Sequence, residues 1–176
     1  VTVIRAAVAT DGMTVAALYS TNVSTATTLP IGTWSGQEYR TMARVIVPVI
    51  AGDMLDCDGR ARVTNDAPEP RYTVGVSTAL WAYDCDDGLG SSGPWTQIDV
   101  STGDNVDPAR HHMPVAITAV YTVPATWPPG HRIVIVLRSD AASTQARAND
   151  ALTVDPLTRL TVRRWTAPIS PQEQSA

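Results

Sequence analysis

Residues His131–Arg138 read HRIVIVLR. Ile133, Ile135 and Leu137 alternate with Arg132, Val134, Val136 and Arg138, which sets one apolar row on one face of a strand. Outward from this stretch, comparable runs recur along almost the whole chain, and none carries the period of an amphipathic helix. Glycine and proline turn signals separate the runs about every ten residues. That rhythm predicts an all-β fold, an antiparallel β-sandwich of jelly-roll type. An immunoglobulin-like sandwich comes second, because no convincing buried Cys–Trp–Cys arrangement is present.

Residues 2–8 (TVIRAAV) and 13–19 (MTVAALY) predict a hairpin about Asp11-Gly12. The Ser/Thr-rich stretch 20–36 reads as a long loop. Residues 1–36 are therefore expected as an N-terminal hairpin and arm, 37–165 as the sandwich, and 166–176 as an extended C-terminal arm. Within the sandwich, strands are expected at 38–49, 54–57, 61–64, 72–83, 95–100, 113–123, 132–137, 151–154 and 160–165. Gly59 is read as a turn between two short strands, and Gly75 as a bulge or close-packing point. Ser101–Arg110 is read as a polar loop, and Ala141–Asn149 as the one place for a short helical turn.

The 176 residues carry 13 basic and 17 acidic side chains, a net charge of −4. That balance opposes a dedicated nucleic-acid binder, which presents a basic face to phosphates. No apolar run approaches the roughly 20 residues that span a membrane. The opening VTVIRAAVA lacks the charged region and long apolar segment of a secretory leader. Every basic residue is arginine, and phenylalanine is absent together with lysine. Both have AT-rich codons, so their joint absence points to a GC-rich genome before it points to selection for guanidinium contacts. Cys57 and Cys85 each sit in an Asp-Cys-Asp context, where flanking acids disfavour a reactive thiolate; free thiols are expected.

Asp84, Asp86 and Asp87 precede Gly88 and gather carboxylates at a sharp turn, a weak calcium candidate. Gly88 and Trp95 stand where an EF-hand needs an oxygen ligand and a glutamate, so a solvated turn is the favoured reading. Adjacent His111 and His112 point to opposite faces of a strand. With no CxxC, HxH or HExxH pattern, no zinc site is read. GxSxG and GxxxxGK[ST] are absent, and a chain without lysine has no Schiff-base or Walker lysine. Neither an enzymatic activity nor a cofactor is expected. Trp34 and Trp95, in loops exposed by composition, are candidates for partner or glycan contact. Arg163 and Arg164 join them, on what otherwise reads as a solvated face.

Six segments follow one another along residues 40–165: Val47–Leu55 (VPVIAGDML), Tyr72–Asp84 (YTVGVSTALWAYD), Gly88–Ile98 (GLGSSGPWTQI), His111–Val123 (HHMPVAITAVYTV), Trp127–Arg138 (WPPGHRIVIVLR) and Leu152–Trp165 (LTVDPLTRLTVRRW). Their order resembles β-sandwich virion structural proteins of tailed phages that infect GC-rich actinobacteria. The resemblance implies a non-enzymatic virion protein, first of all a capsid decoration or minor capsid (cement) protein that stabilises the capsid exterior. Its implied partners are the major capsid protein or other virion subunits, with assembly as a homo-oligomer such as a trimer. A minor tail protein, or a carbohydrate-binding module for host attachment, is the alternative.

Overall fold

Long antiparallel pairings join residues that lie about equally far from the middle of the chain. Val23 faces Thr158, Thr27 faces Val154, Pro48 faces Arg132, Val63 faces Met113, and Val74 faces Val106. The polypeptide is thus one long hairpin rolled up on itself, the construction of a jelly roll. The computed structural model describes residues 2–4, 9–10, 13–33, 39–65, 72–88, 92–107 and 112–166.

Twelve strands run through these residues: β1 (Thr2–Ile4), β2 (Ala9–Thr10), β3 (Met13–Val23), β4 (Thr27–Gly32), β5 (Arg40–Pro48) and β6 (Met54–Thr64). They continue with β7 (Val74–Asp84), β8 (Thr96–Val106), β9 (Met113–Thr122), β10 (Arg132–Ala142), β11 (Ala151–Val154) and β12 (Thr158–Thr166). One sheet runs β3-β12-β6-β9, with β1 and β2 beyond β3. The facing sheet runs β5-β10-β7-β8. β4 and β11 pair with each other and tie the two sheets together. β11 reaches the end of β6, and β4 makes a short parallel contact with the end of β10.

All of HRIVIVLR but its first residue lies in β10, between β5 and β7. Ile133, Ile135 and Leu137 are fully buried against the facing sheet. On the outer face Val134 and Val136 are also only 2% exposed, packed with Tyr83 and the partly buried Trp95. A central strand covered on both faces explains an apolar run denser than simple alternation would need.

Several expectations are corrected. β3 and β4, expected within an N-terminal arm over 1–36, are built into the sandwich. β3 pairs along most of its length with β12, and Ala17, Tyr19, Leu29 and Ile31 belong to the core. Stretch 20–36 holds the end of β3 and all of β4 rather than a long loop. Gly59 is no turn: β6 runs unbroken from Met54 to Thr64 and buries Leu55, Cys57, Gly59, Ala61 and Val63 along one face. Ser101–Val106 continues β8, because the strand is held in register by Val74–Thr78 of β7 despite its polar sequence. Ala141–Asn149 begins as the end of β10 and continues in turns, without a helix. The register of β7 with β8 shifts between Val76 and Thr78, next to Gly75 rather than at it. Both cysteines are free, with Cys57 inside the sandwich and Cys85 beside the outer-face cluster of Tyr83, Val134 and Val136. The predicted C-terminal arm beyond Thr166 lies outside the described residues, as does the Asp11-Gly12 turn, although Thr10 pairs with Met13 across it.

Candidate functional site

At one end of the sandwich, the β5–β6, β7–β8 and β9–β10 connections are stitched together by backbone hydrogen bonds. Gly52 N donates to Val123 O, Val123 N to Asp53 O, Val49 N to His131 O and Cys85 N to Arg132 O. The Ala-Gly-Asp turn depends on Gly52, whose φ of 83° suits glycine. The strand pairing Ile133–Asp84 then brings the acidic loop beside His131 and Arg132.

The result is a pair of acid–base contacts. Asp84 Oδ2 lies 2.6 Å from His131 Nδ1, and its Oδ1 accepts Asp86 N at 2.8 Å. Asp86 accepts the Arg132 backbone N–H at 2.7 Å and the guanidinium at 2.5 and 2.9 Å. The Arg132 side chain is the main cause that holds the Asp86 carboxyl down to about 2. Asp84 and Asp86 therefore face His131 and Arg132 of the chain itself rather than a common point. Among the described residues, no group of three or more His, Cys, Asp or Glu stands where it could hold a metal ion.

Trp95 is a packed ring. Its centroid lies 4.4 Å from that of Tyr83, and the Arg138 guanidinium carbon lies 5.1 Å above it. Arg138 also stands 5.8 Å from Trp81 and 6.0 Å from Tyr39, and donates to Tyr39 O at 2.6 Å. Three rings thus surround one guanidinium, each such contact contributing about 0.5–2 kcal/mol, and Trp95 also packs on Val134 and Val136. Trp34 lies outside the described residues, as does His111.

Arg163 and Arg164, neighbours in β12, have opposite fates. Arg163 stays on the outer face and bridges to Asp56 at 2.9 Å. A register shift after Arg164 marks a bulge, and Arg164 reaches Asp53 at 2.6 Å, whose side chain is wholly buried. Arg164 is thus drawn toward the interior by its bond to Asp53.

At the opposite end, Asp155 Oδ2 collects Arg62 Nε at 2.8 Å, His112 Nδ1 at 2.8 Å and Thr64 Oγ1 at 3.1 Å. Burial works to raise the Asp155 pKa, but the bonds from His112, Thr64 and Arg62 outweigh it and hold the carboxyl below its ordinary range. This knot locks the β11–β12 turn to β6 and to the start of β9.

Neither thiol is placed as an activated nucleophile. Cys85, next to Asp84, has its thiol pushed up by burial and then by Asp86, and it donates to Arg132 O at 3.3 Å. The residues that sequence reasoning missed are His131, Trp127 and Arg138. Each was visible as a residue beside a turn or on a strand, but the partners of His131 and Arg138 lie 47 and 99 positions away and are set by strand pairing, and Trp127 joins them through His131.

No family model and no curated protein matches the chain. Its fold is similar to a chain in the structure of infectious bursal disease virus Gt strain, with a TM-score of 0.50 and 11% identity over 92% of this chain and 40% of that one. It is also similar, at a TM-score of 0.44 and 9% identity, to the infectious bursal disease virus VP2 subviral particle, over 87% of this chain and 37% of that one. A third likeness is to Eiger TNF from S. frugiperda, with a TM-score of 0.46 and 8% identity, over 88% of this chain and 95% of that one. What is shared is a fold. This chain spans about 40% of the first viral chain it matches.

Among the described residues, no helix is long and apolar enough to cross a membrane.

Proposed function

We propose that this chain is a non-enzymatic structural protein of a virion, a capsid decoration or minor capsid protein that binds neighbouring subunits on the capsid exterior. The observation that carries the assembly role is the edge strand β9. Its ten residues, MPVAITAVYT, include no charge and pair with β6 in unbroken register. Among the described residues β6 is its one ladder partner. Val120 on its outer face is 62% exposed.

Two other edges are more heavily guarded: β5 carries Arg40, Arg44 and Pro48 and a register shift, and β8 carries Asp99 and two register shifts. Charges, prolines and bulges are how natural sheets prevent pairing with other chains. β9 has Pro114 near its start, but from Val115 to Thr122 it carries neither charge, proline nor bulge, and such an edge suits addition of a strand from a neighbouring subunit. The virion setting is supported by the fold likeness to a viral chain and by the resemblance of the sequence to phage virion proteins. The packing of Cys85 and the ion pairs of Asp84, Asp86 and Asp155 fit a scaffold better than a reaction centre.

The test compares the wild type with Val120→Lys and Ala116→Lys, two substitutions that guard the edge without touching the core. Wild-type protein should co-sediment with virus shells stripped of it and form oligomers by mass photometry, while both variants stay folded and lose these properties. A wild-type chain that remains monomeric and ignores stripped shells defeats the proposal. Labelling confined to tails in whole particles moves it from the shell to the tail.

A further inference from the structure

The end of the sandwich that holds the Asp84–His131 contact also contains a cavity of about 280 Å³. Its walls include Tyr83, Asp84 and Asp87 from β7 and the loop after it, Thr96 from β8, Tyr121 from β9 and Trp127 from the β9–β10 loop. Both sheets contribute, so the cavity exists only because the rolled hairpin closes there. The proposed assembly role makes no use of it.

We propose that this cavity is a saccharide site that takes a single neutral pyranose unit, such as one residue of a cell-surface glycan. The volume lies at the small end of ligand pockets, roughly 300–1,000 Å³, and matches one ring better than an extended chain. The wall chemistry fits an amphipathic ring. Trp127 and Tyr121 offer large apolar bodies with polar tips, and Trp127 is oriented by an edge-on contact with His131, 6.3 Å between centroids. Asp84 is a pre-oriented acceptor, because His131 holds Oδ2 at 2.6 Å and the Asp86 N–H holds Oδ1 at 2.8 Å. Each of these oxygens retains acceptor capacity for a sugar hydroxyl. Asp87 and Thr96 add an acceptor and a hydroxyl on the same wall.

The alternative occupant of an acidic, aromatic cavity is an organic cation. The geometry favours the sugar, because both Asp84 oxygens are already held, Oδ2 by His131 Nδ1 at 2.6 Å and Oδ1 by the Asp86 N–H at 2.8 Å. A neutral polyol needs acceptors with fixed directions rather than uncompensated charge, and that is what the His131–Asp84–Asp86 arrangement supplies.

The experiment is a ¹H–¹⁵N titration of the full chain with the methyl pyranosides of glucose, galactose, mannose, rhamnose and N-acetylglucosamine, with choline and methylguanidinium as cation probes. At least one pyranoside should give saturable shifts at the amides of Asp84, Asp87, Thr96 and Tyr121 and at the Trp127 indole, and the cations should give none. Asp87→Asn and Trp127→Ala, each checked for an intact fold by its melting curve, should weaken binding about tenfold, with Trp127→Phe restoring most of it. The inference is overturned by the absence of saturable shifts with every pyranoside, by binding of the cations in their place, or by sugar binding that both variants leave unchanged. Because β9 and this cavity are probed by separate variants, failure here leaves the assembly role standing, and failure of shell binding leaves the saccharide site standing.

Discussion

Leu137 occupies the space that a side chain at Gly59 would need. A Cβ built on Gly59 would stand 2.7 Å from Leu137 Cδ1, closer than real Cβ contacts allow. Gly59 lies in β6 of one sheet and Leu137 in β10 of the other, so this contact sets how closely the two sheets approach. Gly59→Ala should therefore destabilise the fold by about 1–3 kcal/mol in urea melts, through overpacking. Adding Leu137→Val should recover part of that loss, giving a double-mutant energy well short of the sum of the two single changes. Strict additivity would show that the two side chains do not share this space.

Arg163 and Arg164 provide a second contrast within one strand. Arg164→Met should cost about 3 kcal/mol or more, because it leaves the buried Asp53 carboxylate without its cation. Asp53 Oδ1 already has no hydrogen-bond partner among the described residues, which makes the site intolerant of further loss. Arg163→Met removes a half-exposed pair with Asp56 and should change stability by less than about 1 kcal/mol. Equal effects of the two substitutions in chemical denaturation would contradict this placement of the chain.

Leu157 offers a stabilising change. It is exposed, yet its φ is 85°, a conformation that suits glycine and strains a side chain. Its N–H donates to Val23 O at 2.8 Å, so the turn is fixed by the β3 pairing and cannot relax. Leu157→Gly should raise the melting temperature, with a gain of about 0.5–1 kcal/mol. A loss of stability on this substitution would show that the Leu157 side chain is used.

Alkaline pH should weaken the fold through two protonated groups. Burial, then Asp56, pushes the Cys57 thiol up to about 12; burial, then the hydrogen bond with Asp150, pushes the Tyr72 hydroxyl up to about 12. Both folded values lie above unfolded values of about 8.5 and 10, so the unfolded chain releases its protons first. This stability is complete below pH about 8.5 and is lost as pH rises through about 12. Urea midpoints measured from pH 8 upward (roughly in unit steps) should fall, and Cys57→Val should flatten the first part of the decline. Consistent with its burial, Cys57 should react with a thiol reagent only on unfolding, while Cys85 reacts in the native protein.

Acid acts through the opposite sign. Asp86, held down to about 2 by the Arg132 side chain, and Asp155, held below its ordinary range, both have folded values beneath their unfolded ones. Their contribution is present above pH about 4 and is lost as pH falls toward 2. Arg132→Gln should therefore shift the acid unfolding midpoint upward, followed by circular dichroism.

The legible part of this protein lay in local patterns. HRIVIVLR, ALTV and MPVAITAVYT declared themselves as strands because backbone pleating demands a period that the side chains record. β8 was cut short because Ser101–Val106 is polar, and polarity on a strand reports its surroundings rather than its backbone. Gly59 was read as punctuation when it is a core contact, since a missing side chain serves a turn and a close approach equally well. The Asp84 loop was visible as acidic, but the His131 and Arg132 that face it were not assigned to it, because Ile133 opposes Asp84 only after β7 and β10 pair.

The amino-acid order by itself determined that the chain forms sheets and where most strands begin, because alternation and turn chemistry act over a few neighbouring residues. Only the tertiary structure decided which strands meet, that Arg164 turns inward while Arg163 stays out, and that the uncharged β9 lies at an edge. Those outcomes depend on contacts between residues far apart along the chain, whose geometry is fixed by closing the roll.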